Sequence, residues 1–408
     1  MNNSIFKQFK ILISPLAFFQ ALIELKNLNL KATRDVLFIV SPVDVQTPSG
    51  NHYFPDKLDG VIKVVEDHKL SVLSVFHLFS IKNKFEGKSD FKRLEILIPL
   101  IIVSHPIMII KNFRVIKEVF LNQRLITLKQ KMRASLWISL FLLVKPKIIF
   151  GIGIDQVILS VCKRMQIETV EVMHGLFDSV SSLFPFMNEP EIVKPGLFLG
   201  WHDDFTKMVE NLGIPAVTIG YPNTFLQRID LPLEDLPERK ILVTLGWGYK
   251  VSVDLNGIMS PELYNYLEEI PSNNLKFRLH PVSCNSRKQI LQNSKWLKKE
   301  FPDCSLVLPY DESLLESLSS CSFHVSHESS TFFEASLLGI TTLLLKSKDR
   351  FLIPIPEEII KLNLVHFDKN LFKRKFKNMN QLHLSPGFTA PFQKIVLEKI
   401  LNQLNLID

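Results

Sequence analysis

Two short segments hold most of the residues in this chain that could do chemistry. Lys276-Phe277-Arg278-Leu279-His280-Pro281 is a strand pattern ending in a cation and an imidazole. Val325-Ser326-His327-Glu328-Ser329-Ser330-Thr331 runs a strand pattern into three hydroxyl residues, where a helix should begin. Arg278 and His280 alternate with apolar neighbours and so share one face, and Pro281 ends the strand directly after the imidazole. Two such groups suit a phosphate. One hydroxyl suffices to cap a helix, so Ser329, Ser330 and Thr331 together leave donors over for an anion, which the helix dipole also favours. Glu334 lies one turn further, on the side of Ser330, where it could accept from ribose or sugar hydroxyls. Gly246-Trp247-Gly248 follows a third apolar run, and glycines there let backbone N–H groups approach a pyrophosphate. The plainer readings are a tight turn, a hydrogen-bonded strand-end histidine, and a cap followed by an ordinary helix glutamate. Taken together, the segments describe a pocket for a phosphate-bearing ligand such as a nucleotide-sugar.

A second set of groups lies in the other half of the chain. Met173-His174-Gly175 also ends a strand pattern, and a histidine near its pKa can deprotonate a sugar hydroxyl. Glu171, Asp178 and Asp155 are nearby carboxylates that could orient His174 or act in its place; a structural, hydrogen-bonded histidine is the plainer alternative. Asp203-Asp204 reads as a helix cap rather than a metal pair. His324 and His327 are three apart on a strand and face opposite sides, which disfavours a metal site. No metal and no cofactor is expected; the nucleotide-sugar would be a substrate.

The elements that must carry these groups alternate along the chain. Strand patterns at 10–14, 35–40, 147–150, 168–172, 197–201 and 216–219 enclose helices at 16–26 and 155–165 and one opened by Asp203-Asp204. A largely helical stretch covers 90–144. Between Tyr221 and Arg239, Pro222, Pro232 and Pro237 sit among charges and turn formers, as in a linker. A second series follows, with strands at 240–245, 275–279, 305–308, 323–326 and 341–345 and helices at 261–269, 286–300, 312–319 and 330–338. An amphipathic helix over roughly 391–404 remains. The 408 residues exceed one typical core and divide as 1–225, 238–385 and 386–408. The expected class is α/β: two Rossmann-like, doubly wound domains facing a cleft, with a C-terminal helix. In open α/β sheets ligands collect at the C-terminal strand ends, where the candidate residues fall.

Composition narrows the function classes. Hydrophobic residues at 46% and charged residues at 22% describe a folded globular chain. The net charge of +7 is spread among acids, which argues against a nucleic-acid face and suits anionic ligands or an anionic membrane surface. Cys162, Cys284, Cys304 and Cys321 have no ligand spacing and read as reduced thiols. Lys7 and Lys10 precede an apolar run at 11–23, but Pro15 interrupts it and no small-residue cleavage site follows. The runs 97–110 and 134–144 fall short of the roughly 18 apolar residues a spanning helix needs. The expectation is a cytoplasmic protein with peripheral contact to an inner membrane.

Two Rossmann-like domains joined by a proline-rich linker resemble the GT-B arrangement of glycosyltransferases. Within that class the chain resembles bacterial enzymes that build capsules and lipopolysaccharides, in particular sialyltransferase, polysialyltransferase and Kdo-transferase families. Ile11-Leu-Ile-Ser-Pro-Leu16 with Gln20 is similar to their first strand and loop, His280-Pro281 to their His-Pro motif, and Ser329-Ser330-Thr331 to their Ser/Thr-rich motif. The resemblance implies that the last two motifs hold the nucleotide phosphate of a CMP-sugar. Those sialyltransferases carry an acidic pair before a glycine as base; here Met173-His174-Gly175 stands instead, which resembles capsule enzymes including teichoic-acid glycerophosphotransferases. Four readings follow. The first is a glycosyltransferase moving sugar from a CMP- or UDP-linked donor to a capsule, lipooligosaccharide or O-antigen acceptor, free or lipid-linked. The others are a CDP-polyol phosphotransferase, a nucleotide-sugar 2-epimerase, and a non-catalytic assembly scaffold. The epimerase reading shares the fold and a His-Pro step, but Ser326-His327-Glu328-Ser329-Ser330 lacks the Gly-rich, paired-glutamate stretch of that family.

Overall fold

Many strands of this chain are short runs dominated by apolar residues, such as Val36–Val40 and Ile241–Thr244. That pattern belongs to parallel sheets covered by helices on both sides. The computed structural model describes residues 35–40, 45–46, 54–55, 57–76, 128–173, 192–223, 240–246, 258–280, 284, 287–309, 311–327, 329, 331–345, 355–362, 364–367 and 392–407. Among them lie two six-stranded parallel sheets and a short antiparallel pair, Val45–Gln46 with Phe54–Pro55.

The first sheet holds β1 (Val36–Val40), β4 (Val72–Phe76), β5 (Ile148–Gly151), β6 (Glu168–Val172), β7 (Leu197–Gly200) and β8 (Ala216–Thr218); the antiparallel pair is β2 and β3. Its strand order is β4-β1-β5-β6-β7-β8. Helices α1 (Asp59–Asp67), α2 (Leu128–Val144), α3 (Gln156–Met165) and α4 (Asp203–Glu210) belong to this half. The second sheet holds β9 (Ile241–Thr244), β10 (Leu275–Arg278), β11 (Ser305–Val307), β12 (Phe323–His327), β13 (Thr341–Leu345) and β14 (Val365–His366). With it come α5 (Pro261–Leu267), α6 (Arg287–Glu300), α7 (Leu314–Ser319), α8 (Thr331–Leu337) and α9 (Glu357–Lys361), and α10 (Lys394–Gln403) ends the chain.

Each sheet is buried on both faces. Trp137 and Phe141 of α2 and Ile158 of α3 cover Leu37 and Ile39 on one side of the first sheet. Val61 and Val64 of α1, with Leu397 and Leu401 of α10, cover Phe38 and Phe150 on the other. The C-terminal helix therefore packs on the first sheet, tied by a bond from Gln393 N to Ile219 O of 2.7 Å. In the second sheet Leu263, Tyr266 and Leu297 cover Val243, Phe277 and Val325, while Leu314, Leu315, Leu318 and Ala335 cover Leu242. One further cluster joins the halves: Met173, Trp201, Phe205 and Tyr221 pack with Phe332, Phe333, Leu344 and Val365. Trp201 stacks on Phe333 at 5.6 Å between ring centroids.

The two-domain α/β expectation matches this architecture. The strand expectations over 168–172 and 341–345 match residue for residue, and other observed ends shift by one to three residues. The strand Val72–Phe76, the helices Asp59–Asp67 and Glu357–Lys361 and the strand Val365–His366 were not anticipated. The expected strand at 10–14, the helix at 16–26, residues 90–127 of the helical stretch 90–144, the linker beyond residue 223 and the boundary near 385 lie outside the described residues. Asp203 and Asp204 do not cap α4. The cap is His202, which accepts from Asp204 N through Nδ1 at 3.3 Å, and the two acids occupy the first turn, where the helix dipole favours them. No described helix is long and apolar enough to cross a membrane. The four cysteines are buried and are not joined in disulfides.

Candidate functional site

The second sheet runs in the order β11-β10-β9-β12-β13-β14. Numbered from β9 this is 3-2-1-4-5-6, and the chain reverses its direction of winding between β9 and β12. Crossovers leave that point to opposite sides, which opens a crevice at the C-terminal strand ends. Gly246 follows β9, His280 follows β10 and Ser329 follows β12, so three of the candidate segments end on three adjacent central strands. Trp247, Gly248, Pro281 and Ser330 lie outside the described residues.

The groups at this edge differ in what they have to offer. His280 is half-buried, and burial together with the charges of Lys57 and Arg278 pushes its pKa down to about 4. Its imidazole is therefore neutral at pH 7. Arg278 is buried instead. Its Nη1 donates to Glu312 O at 2.9 Å and to Ser317 Oγ at 2.8 Å, beneath α7. Lys276, two residues earlier on the same face, pairs with Glu312 Oε1 at 2.6 Å and donates to Ser320 Oγ at 2.8 Å. Burial raises the Glu312 pKa, but Lys276 and the hydroxyl of Ser317 more than offset it and hold the carboxyl below its usual value. The charges of Lys276 and Arg278 are thus engaged inside the domain. Arg278 was expected to meet a phosphate together with His280; its Nη1 is bonded to the body of the domain.

The hydroxyls divide in a similar way. Thr331 turns its side chain inward, with Oγ1 at 3.1 Å from Thr244 Oγ1 and 3.3 Å from Ser326 Oγ. Ser329 remains partly exposed and accepts from Thr331 N at 3.4 Å. Glu334, expected to reach sugar hydroxyls, is buried in the first turn of α8.

In the first half, Glu171 ends near the turn from β5 to α3. Its carboxylate accepts from Gly153 N at 2.5 Å and Ile154 N at 3.0 Å. Gly153 adopts φ +65°, and a side chain on Gly151 would meet Ile154 Cγ1 at 2.6 Å, so the turn needs both glycines. Asp155 caps α3 through Val157 N and Ile158 N and is paired with Arg133. Both carboxylates thus have structural work at this turn. His174 and Asp178 lie outside the described residues, though Met173, immediately before His174, is buried under Trp201.

Two features were missed in the sequence. Lys57, just before α1, places Nζ 5.8 Å from the ring centroid of Trp201, a cation–π distance, and its charge is felt by His280. It belongs to no motif and only tertiary contact reveals it. The other is the fully buried His324, weighed in the sequence only as a metal ligand. A signal for it existed, because His324 and Ser326 are polar residues at alternate positions of the strand Phe323–His327, and Thr244 and Thr342 sit in the strands on either side. Among the described residues no group of three or more His, Cys, Asp or Glu is arranged to hold a metal ion.

No family model and no curated protein sequence matches the chain. Solved structures do. An S. aureus MnaA–UDP co-structure matches at a TM-score of 0.55 and 14% identity, covering 92% of this chain and 98% of that one. The UDP-N-acetylglucosamine 2-epimerase from Rickettsia bellii matches at 0.54 and 14%, covering 92% and 96%. The Methanocaldococcus jannaschii UDP-GlcNAc 2-epimerase in complex with UDP-GlcNAc and UDP matches at 0.50 and 12%, covering 90% and 99%. The chain has their two-domain, GT-B-like fold. At such identity the likeness is one of fold alone, and these are not the sialyl-, polysialyl- or Kdo-transferases that the short motifs resemble.

Proposed function

We propose that this chain is a nucleotide-sugar enzyme that binds its nucleotide at the switch point of the second sheet and transfers the sugar to a bacterial surface glycan. The observation that carries the reading is the convergence of Gly246, His280 and Ser329 on adjacent strand ends at that point. Similarity in fold to a protein solved with UDP over nearly the whole chain supports it and makes UDP the first nucleotide to test. In this reading the neutral imidazole of His280, the ammonium of Lys57 and the hydroxyl of Ser329 meet the donor phosphates. Arg278 supports the site from beneath. His174 on the facing half takes the proton from the acceptor hydroxyl as that oxygen attacks the anomeric carbon, and the bond from that carbon to the phosphate oxygen breaks. The nucleoside diphosphate leaves, its charge met by preorganised donors rather than by a metal. Glu171 and Asp178 are the alternative bases, and the setting is cytoplasmic, with peripheral contact to an inner membrane.

A second reading, a nucleotide-sugar 2-epimerase, is favoured by the fold of the Rickettsia and Methanocaldococcus enzymes. Incubating the protein with UDP-GlcNAc alone separates the two. An epimerase inverts the sugar at C2 without an acceptor, whereas a transferase leaves that centre unchanged and releases UDP when a glycan acceptor is added. Tighter binding of CDP than of UDP or CMP would favour the polyol phosphotransferase, and no binding of any of the three would leave only the scaffold.

A further inference from the structure

Across the centre of the second sheet, hydrogen-bonding side chains lie side by side on one face. Strand register pairs Thr244 with Ser326 and His324 with Thr342. His324 Nδ1 lies 3.0 Å from Thr342 Oγ1 and Nε2 lies 2.9 Å from Thr244 Oγ1. Thr244 donates to Ser326 Oγ at 3.1 Å, Ser326 Oγ lies 3.3 Å from Thr331 Oγ1, and Thr331 donates to Ser329 Oγ at 3.2 Å. Thr331 Oγ1 also lies 3.4 Å from Nε2.

The directions of these bonds follow from counting protons, because a hydroxyl has one to give and a neutral imidazole has one N–H. Thr244 Oγ1 lies 3.1 Å from both Ser326 Oγ and Thr331 Oγ1 and gives its proton to one of them. Every proton of the set finds a partner within it only if Thr244 in turn accepts from His324, which places the imidazole hydrogen on Nε2. Nδ1 is then an acceptor and takes the proton of Thr342. The proton of Thr331 goes to Ser329, so the contact between Ser326 and Thr331 is filled by the proton of Ser326. Ser329 Oγ already accepts from the amide and the hydroxyl of Thr331, and its own proton is directed away from the network. The relay therefore runs one way, from Thr342 inside the sheet to Ser329 at the strand ends. Only Ser329 is left with a proton to offer outward.

We propose that His324 is a positioning residue that polarises this relay, so that Ser329 presents a committed O–H donor to a phosphoryl oxygen of the ligand. The nature of the ligand rests on the nucleotide-sugar reading; the polarity of the relay does not. A charged imidazole would donate from both nitrogens and turn the Thr342 contact round, and complete burial, which pushes the His324 pKa down to about 3, prevents this at neutral pH. A site so wired favours an anionic acceptor over any ligand group that must itself donate.

Nitrogen-15 NMR of the full chain with labelled histidine tests the relay without a ligand. The expected result is a single neutral His324 ring with its hydrogen on Nε2, unchanged from pH 8 to pH 5; a hydrogen on Nδ1, or titration within that range, overturns the proposal. Calorimetry with UDP tests the coupling. Ser329→Ala should weaken binding about tenfold or more, as loss of a hydrogen bond to a charged oxygen does. Thr342→Val should also weaken it, Thr342→Ser should restore it, and Thr342→Val combined with Ser329→Ala should cost no more than Ser329→Ala alone. Additive losses would overturn the relay. If the wild-type protein bound no UDP, the nucleotide reading would fail while the NMR result still decided the relay.

Discussion

At pH 7 the imidazole of His280 carries no charge, so in the proposed site it gives a phosphate a hydrogen bond, while charge is supplied by Lys57. The two are coupled, since the ammonium of Lys57 is among the causes that keep His280 neutral. Lys57→Met should therefore raise the His280 pKa, which a proton NMR titration would follow; an unmoved pKa would remove Lys57 from the site. Glu171 and His174 separate in the same manner. Glu171 holds two amide N–H groups of the β5–α3 turn, so Glu171→Gln should lower stability by about 1–3 kcal/mol through a mismatched donor. His174→Ala should instead slow turnover on the order of 10²–10⁴-fold at nearly constant nucleotide affinity. Thermal unfolding and kinetics on both variants check this, and a fully active His174→Ala would shift the role of base to Glu171 or Asp178.

At the scale of elements, β9, β10, β12 and β13 place a polar layer between a parallel sheet and α7 and α8. Such a layer is stable only while every member is satisfied in its present protonation state. His324 makes that requirement measurable. In the unfolded chain a histidine titrates near pH 6.5, whereas in the folded protein its pKa is about 3. Above pH 6.5 both states are neutral and nothing changes. Below it only the unfolded state takes up the proton, so stability is lost as pH falls, by about 1.4 kcal/mol per pH unit for this residue. His280 adds to the loss in the same window, while Glu312 contributes only at more acid pH. Melting temperatures should begin to fall near pH 6.5 and continue down to pH 5; a flat profile would contradict the buried neutral histidines. The strands of this layer were legible in the sequence because runs such as Thr341–Leu345 are rich in β-branched and aliphatic residues. The relay between them was not, because which residues of separate strands stand side by side depends on register, and no single strand encodes its register with another.

For the whole molecule, fold class and strand-end location could be read from alternating patterns and from short polar endings such as His280-Pro281. What could not be read were contacts made across the chain: Lys57 over Trp201, Trp201 against Phe333, and α10 returning to the first sheet. The peripheral contact with an anionic membrane surface proposed above rests on the net charge of +7. High salt should then release the protein from a membrane fraction, and a need for detergent would count against that setting. Nucleotide binding at the β9–β12 switch point is tested by calorimetric titration of UDP into the wild-type protein and His280→Ala. Saturable binding to the wild type is expected, weakened in His280→Ala by about 1.5–3 kcal/mol, the worth of a hydrogen bond to a charged group. Affinities equal within about twofold, or no binding to the wild-type protein, would contradict it.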